Sequence, residues 1–266
     1  MLASILEDED VTPARIGAVI AVPLATAVVT AAQLNLPTKE VWQHPTAVAM
    51  QWASIAILAL FIFDSEVRQV THLVRASRVR EYDLDLRAEL SQLLCAVVDL
   101  TGARWDEIEV TYYRLRRNLF LRRRLVRVAS LRLGAGTSHT AASWTIRTGV
   151  VGTAFAAQEA IGVDWASFTQ QAVAGGKGAW EQLPVPQRYG MNWGQLISAG
   201  TRAQGVLAVP TFERGSGLPT GCILLSGALK LDDLNSEGMR HVLGDLATAL
   251  DRLGSPPRGW WTAHEL

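Results

Sequence analysis

Cysteine is nearly absent from this chain of 266 residues: Cys95 and Cys222 are the only two, and neither stands in a C-x-x-C pair. A disulfide framework is excluded. Both thiols sit in apolar runs (SQLLCAVV and TGCILL), where they behave as small hydrophobes and fit a reducing compartment. Net charge is also missing, because 25 Lys and Arg balance 25 Asp and Glu. That argues against a surface tuned as a whole to nucleic acid, and no nucleic-acid partner is expected. The five histidines are scattered, with neither H-x-H nor H-E-x-x-H, so no metal site is expected. Charged residues make up only 19%, below the quarter usual in soluble domains, and the deficit lies almost entirely in the first 63 positions. Apolar residues reach 49%, enough to exclude disorder for the bulk of the chain.

Those first 63 residues predict a two-span membrane hairpin over 16–63 after a short N-terminal tail, 1–15. Ile16 to Leu34 runs nineteen residues without a charge, and Val41 to Phe63 carries only His44 as an ionisable group. A hydrocarbon core of about 30 Å needs roughly 20 helical residues, so both runs are long enough. Pro23 is better tolerated in a membrane helix than in a soluble one, and Gly17, Ala21 and Ala25 suit close helix packing. Arg68, Arg75, Arg78 and Arg80 follow the second run, whereas the loop between the runs offers only Lys39. The positive-inside rule then puts both termini in the cytoplasm, in the inner membrane of a bacterium. A signal peptide fits less well, since the first residues are acidic.

Asp64 to Thr101 contains neither Pro nor Gly. The stripe Leu86, Leu90, Leu93, Val97, Leu100 has helical spacing, so a connector helix (64–85) leads into the first helix of a soluble domain (86–253). Val67, Val70 and Val74 form a short seam on which a homodimer is expected. Glu109–Arg116 and Leu125–Leu133 alternate as a hairpin, and Gly205–Phe212 and Gly221–Ser226 as a second pair. Between them come a short strand at Ser143–Thr148 and a short helix. Asp164–Asn192, with its GGKG and PVP, is expected to be a long irregular loop. Asp232–Leu253 closes the domain as a helix and 254–266 is a tail. The fold class expected is α/β, with a mostly antiparallel sheet flanked by helices.

The order of these elements resembles the GAF family of small-molecule sensor domains. The residues that carry the likeness are RTGVVGTAFAAQE (Arg147 to Glu159), VLAVPTFERGSGLPTGCILLSG (Val206 to Gly227) and LDDLNSEGMRHVLGDLATAL (Leu231 to Leu250). The resemblance implies a six-stranded sheet with helices on one face, a ligand pocket on the other, and dimerisation through the first and last helices. The Asn-Lys-x-Asp type signature of the cyclic-nucleotide-binding members has no equivalent here. The cysteines of the bilin-binding and methionine-sulfoxide-reductase members are not matched either.

Two side-chain sets stand out. Trp144, Phe155, Trp165, Phe168, Trp180, Tyr189 and Trp193 cluster within fifty residues with Arg147 and Arg188, a composition that can line a pocket for a planar ligand or fill a core. Arg114, Arg116, Arg117, Arg122, Arg123, Arg124 and Arg127 crowd one hairpin, as a surface for anionic phospholipid or as a solvated turn. The GAGTSHT segment lacks the G-x-S-x-G context of a hydrolase, and GGKG lacks that of a phosphate loop. No enzymatic activity and no cofactor are therefore expected. The function expected is a membrane-anchored sensor that binds a small molecule or partner, signals through the connector helix and hands its output to another protein. The alternative is a nucleotide-triggered, membrane-disrupting effector of an anti-phage system.

Overall fold

A computed structural model describes residues 13–34, 36, 38, 40–117, 123–133, 143–200, 203–213, 215–257, 260 and 261. The chain divides into two compact units, Met1–Ser77 and Arg78–Leu266.

The first unit holds α1 (Pro13–Gln33) and the start of α2 (Pro45–Thr101). Pro23 sits inside α1, and the nearby Thr26 hydroxyl donates to the Val22 carbonyl at 2.8 Å. Trp42 Nε1 donates to the Leu36 carbonyl at 2.9 Å in the turn before α2. Ala25 and Ser54 are buried, whereas Trp52, Leu60, Ile62 and Phe63 are exposed. Among the described residues α2 is the helix long and apolar enough to cross a bilayer, and only 6% of its apolar stretch is buried. Within α1 the apolar stretch Ala21–Gln33 is shorter than a span. The two-span hairpin is thus met by one qualifying helix. Asp64–Thr101 is part of the same uninterrupted α2, as the lack of Pro and Gly predicts.

The second unit is mixed α/β around a six-stranded antiparallel sheet of order β3-β2-β1-β6-β5-β4. Its strands are β1 (Ile108–Arg117), β2 (Arg123–Arg132), β3 (Ser143–Thr145), β4 (Ile161–Asp164), β5 (Gly205–Phe212) and β6 (Pro219–Gly227). Alternation decides which side chains go to which face. Ile108, Val110 and Tyr112 of β1, with Ile223 and Leu225 of β6, meet Leu86, Leu90, Leu93, Leu94 and Val97 of α2. The same core takes Met239, Leu243, Leu246 and Leu250 from α7 (Glu237–Leu253). Tyr113, Ala208, Cys222 and Leu224 face the other way, against α3 (Gly149–Ala157), α4 (Trp165–Gln182) and α5 (Trp193–Ala199). Both faces therefore carry helices. Burying a leucine side chain is worth about 1.5–3 kcal/mol, so the four α2 leucines at 0–3% exposure fix that helix to the sheet.

Several expectations need correction. Asp164–Asn192 is not an irregular loop: Asp164 caps α4 by accepting from Ser167 N at 3.0 Å, and α4 continues to Gln182 across a kink at Gly176, φ 75°. The GVVG segment is the first turn of α3 rather than a turn before it. The closing helix is broken into α6 (Leu231–Leu234) and α7, because Ser236 caps α7 through Met239 N. Strand β4 was not foreseen. GAGTSHT lies outside the described residues.

Gly254, Ser255, Trp260 and Trp261 pack onto the first core. Arg114 donates to the Gly254 carbonyl at 2.6 Å and to Ser255 Oγ at 2.8 Å. Tyr82 Oη on α2 donates to the same Gly254 carbonyl at 3.4 Å. Trp260 is fully buried and meets the Tyr82 ring edge-on, centroids 4.9 Å apart, while the Arg116 guanidinium lies 5.0 Å from the Trp261 ring. Burial pushes the Tyr82 and Tyr112 phenols up from their ordinary value, against a smaller opposing pull from Arg114.

Candidate functional site

Between the sheet and α3–α5 lies a cavity of about 500 Å³. Its floor follows from strand phase: Glu109 and Tyr113 sit one and three residues out of step with Tyr112 and Val110, on the face away from α2 and α7. Leu224 and Ser226 of β6 and Val206 of β5 extend that floor. Val150 and Val151 of α3 and Met191 form apolar walls, and Asn192, Gln195 and Ser198 bring polar atoms from the start and body of α5. Size and composition match a small-molecule site: mostly apolar walls, few polar groups.

The polar groups differ in how far they are committed. Glu109 is buried, and its Oε1 accepts from Ser130 Oγ at 2.7 Å and from Thr111 Oγ1 at 3.5 Å. Asn192 and Gln195 close a capping box on each other, each backbone N–H donating to the other's side-chain oxygen at 2.8–2.9 Å. The Trp165 indole donates to the Gly200 carbonyl at 2.9 Å, which fixes its ring as a wall. Two lining donors have no acceptor among the described residues. Arg132 Nε and Trp144 Nε1 are both buried and unpaired, and such a group costs free energy until an acceptor is supplied. The Trp144 ring lies on Gly149, where an added Cβ would come within 2.7 Å of ring carbons.

Of the nine pocket residues expected from sequence, Trp144 and Trp165 line the cavity. Phe168 instead packs its ring 5.3 Å from Trp165, 5.7 Å from Trp180 and 5.4 Å from Tyr189, and Trp193 lies 6.4 Å from Trp180. Phe155 is buried in the same core. Arg147, exposed and at φ 71°, forms the turn before α3, whose Gly149 N–H donates to the Tyr189 carbonyl at 2.8 Å. Arg188 is half-buried next to Tyr189. The residues missed are Glu109, Arg132, Asn192, Gln195 and Ser226. The signal for Glu109 was present, since a charge stood in phase with Tyr113 and Leu115 on an alternating strand.

The arginine set is divided. Arg114 is held by Gly254 and Ser255, and Arg127 is half-buried. Arg123 and Arg124 are exposed, directly opposite Arg117 and Arg116 across the ladder. Like charges directly opposite one another, as on Arg116 and Arg124, repel. Arg122 lies outside the described residues.

Among the described residues no group of His, Cys, Asp and Glu could hold a metal ion. Cys222 is buried, which pushes its thiol far up, and Cys95 is exposed. Neither lines the cavity.

No protein-family model matches the chain, and no curated protein does. Solved structures do. The GAF domain region of a putative membrane protein from Geobacter sulfurreducens is 15% identical, covers 65% of this chain and 98% of its own, and aligns with a TM-score of 0.40. The GAF domain of an Acinetobacter phosphoenolpyruvate-protein phosphotransferase is 16% identical over 73% and 96%, with a TM-score of 0.38. A type II free methionine-R-sulfoxide reductase from Thermoplasma acidophilum is 16% identical over 64% and 93%, with a TM-score of 0.39. The last corrects the expectation that the chain has no enzymatic activity. Enzymes thus stand beside GAF domains among its structural neighbours.

Proposed function

We propose that this chain is a membrane-anchored regulatory protein whose GAF-like domain binds a small molecule over the β1–β6 floor and signals through α2. The observation that carries the reading is the cavity, of ligand size and holding two buried donors that lack acceptors among the described residues. α2 supports the output. The helix that contributes Leu86, Leu90 and Leu94 to the domain core is continuous with an apolar stretch exposing Leu60, Ile62 and Phe63, side chains that water disfavours and lipid accepts. A ligand acts here through different affinity for two arrangements of the helices, which a homodimer seam at Val67, Val70 and Val74 would register. Under the same proposal α1 is a second span, both termini are cytoplasmic, and the exposed Arg116, Arg123 and Arg124 bind anionic phospholipid. An unidentified protein receives the output.

The test is mass spectrometry of small molecules released from full-length protein purified in detergent, beside an Ala199→Phe variant that fills the cavity. One compound retained by the parent and lost from the variant supports the reading. No retained compound, and no stabilisation by any member of a metabolite library, sinks it.

A further inference from the structure

The unpaired donors are carried on backbone positions far apart along the sheet. Trp144 on β3 lies across from Leu125, whereas Arg132 is seven residues further along β2, opposite Glu109 of β1. A bulge opposite Tyr112 and Tyr113 takes up one of those residues, so the two backbone positions lie six steps of β1 apart, about 20 Å at 3.3 Å per residue, too far for a single carboxylate, with hydrogen bonds near 2.9 Å, to serve both side chains. Between them the walls are apolar: Val150, Val151, Val206 and Leu224. The two acids of the lining are already engaged. Glu109 accepts from Ser130 and Thr111, and Glu107 lies 3.8 Å from Arg104. The Arg132 guanidinium has neither a hydrogen bond nor an ion pair to another described residue, and its Nε is buried. The nearby carboxylate of Asp106 feels the Arg132 charge but is itself bonded to Arg104 at 2.9–3.0 Å, so an anionic acceptor at Arg132 Nε still gains a charge-assisted bond.

We infer that the cavity takes an elongated organic acid: an oxyanion at Arg132, a second hydrogen-bond acceptor at Trp144, and an apolar body between. This rests on the small-molecule reading above and narrows its ligand class. A carboxylate in place at Arg132 adds a charge-assisted bond, the stronger kind, while the indole N–H adds a neutral one. The two ends therefore contribute unequally.

The test is isothermal titration of the full-length protein in detergent with straight-chain dicarboxylates of increasing length. Each is compared with its half-amide, its diamide and the monocarboxylate of equal length. The expected order is diacid and half-amide tightest, monocarboxylate weaker, diamide absent. Arg132→Gln should weaken the best diacid on the order of tenfold or more. Trp144→Phe, which keeps a ring but loses the donor, should bring the diacid down to the monocarboxylate. Binding of the diamide as tight as the diacid, affinity unchanged in Arg132→Gln, or no binding by any length overturns the inference. The cavity-filling variant separates this from the broader reading. A co-purified cation or neutral compound lost from Ala199→Phe would discard the organic acid yet keep the receptor.

Discussion

Replacing Trp260 by Ala tests whether the residues after Leu253 belong to the domain. The side chain is fully buried beside Tyr82, and its neighbours Arg114 and Arg116 hold the segment on either side. Truncating a buried Trp costs about 3–5 kcal/mol, to which the lost edge-on ring pair adds about 1. A loss of about 4 kcal/mol is a large part of the 5–15 kcal/mol that holds a domain together. At roughly 2–4 °C per kcal/mol for a unit of this size, the melting temperature should fall by about 8–16 °C. The assay is thermal unfolding of full-length protein in detergent, followed by near-ultraviolet circular dichroism, with Trp261→Ala as the partly exposed control. A fall of less than 2 °C in the Trp260 variant would refute the claim that this segment closes the core.

Gly149→Ala should destabilise the domain by more than 1 kcal/mol, because φ is +69° and the new methyl would press on the Trp144 ring; denaturant midpoints give the answer. Asn192→Ala should cost about 1 kcal/mol through the lost capping box, as denaturant midpoints of the variant would show. The Tyr82 phenol has a folded pKa above its unfolded value of about 10, so its contribution is complete below pH 10 and is lost as pH rises through the folded value. Stability should therefore fall above about pH 10, with a shallower fall in Tyr82→Phe. The protein should stay with carbonate-washed membranes, and its release to the supernatant would remove the anchor.

How far the sequence could be read depended on range. Period-two alternation and apolar runs bounded by turn residues are both local, so β1 and β2 were legible from Glu109–Arg116 and Leu125–Leu133, and β5 and β6 from Gly205–Phe212 and Gly221–Ser226. α4 was not, because Gly175, Gly176 and Gly178 weigh against a helix. What overrides them is distant: Trp165, Thr169 and Trp180 find burial against the sheet and the aromatic cluster. β4, four residues long, has no periodicity to show. The site was least legible. The aromatic residues were conspicuous and mostly pack on one another, whereas Arg132 enters the cavity only through the β1–β2 register, which placed it opposite Glu109.

The central seam of the sheet has a mechanical meaning. Strands β1–β3 and β4–β6 are each contiguous in sequence, and they join where β1 meets β6 along Ile108–Arg114 and Gly221–Gly227. Glu109 and Tyr113 belong to one half of the cavity floor, Leu224 and Ser226 to the other. An occupant resting on both is a rivet through the joint, slowing amide exchange along β1 and β6 before it alters any helix. The same joint makes the chain a candidate split reporter. Cut between β3 and β4, its two pieces should reassociate in proportion to the compound that bridges them.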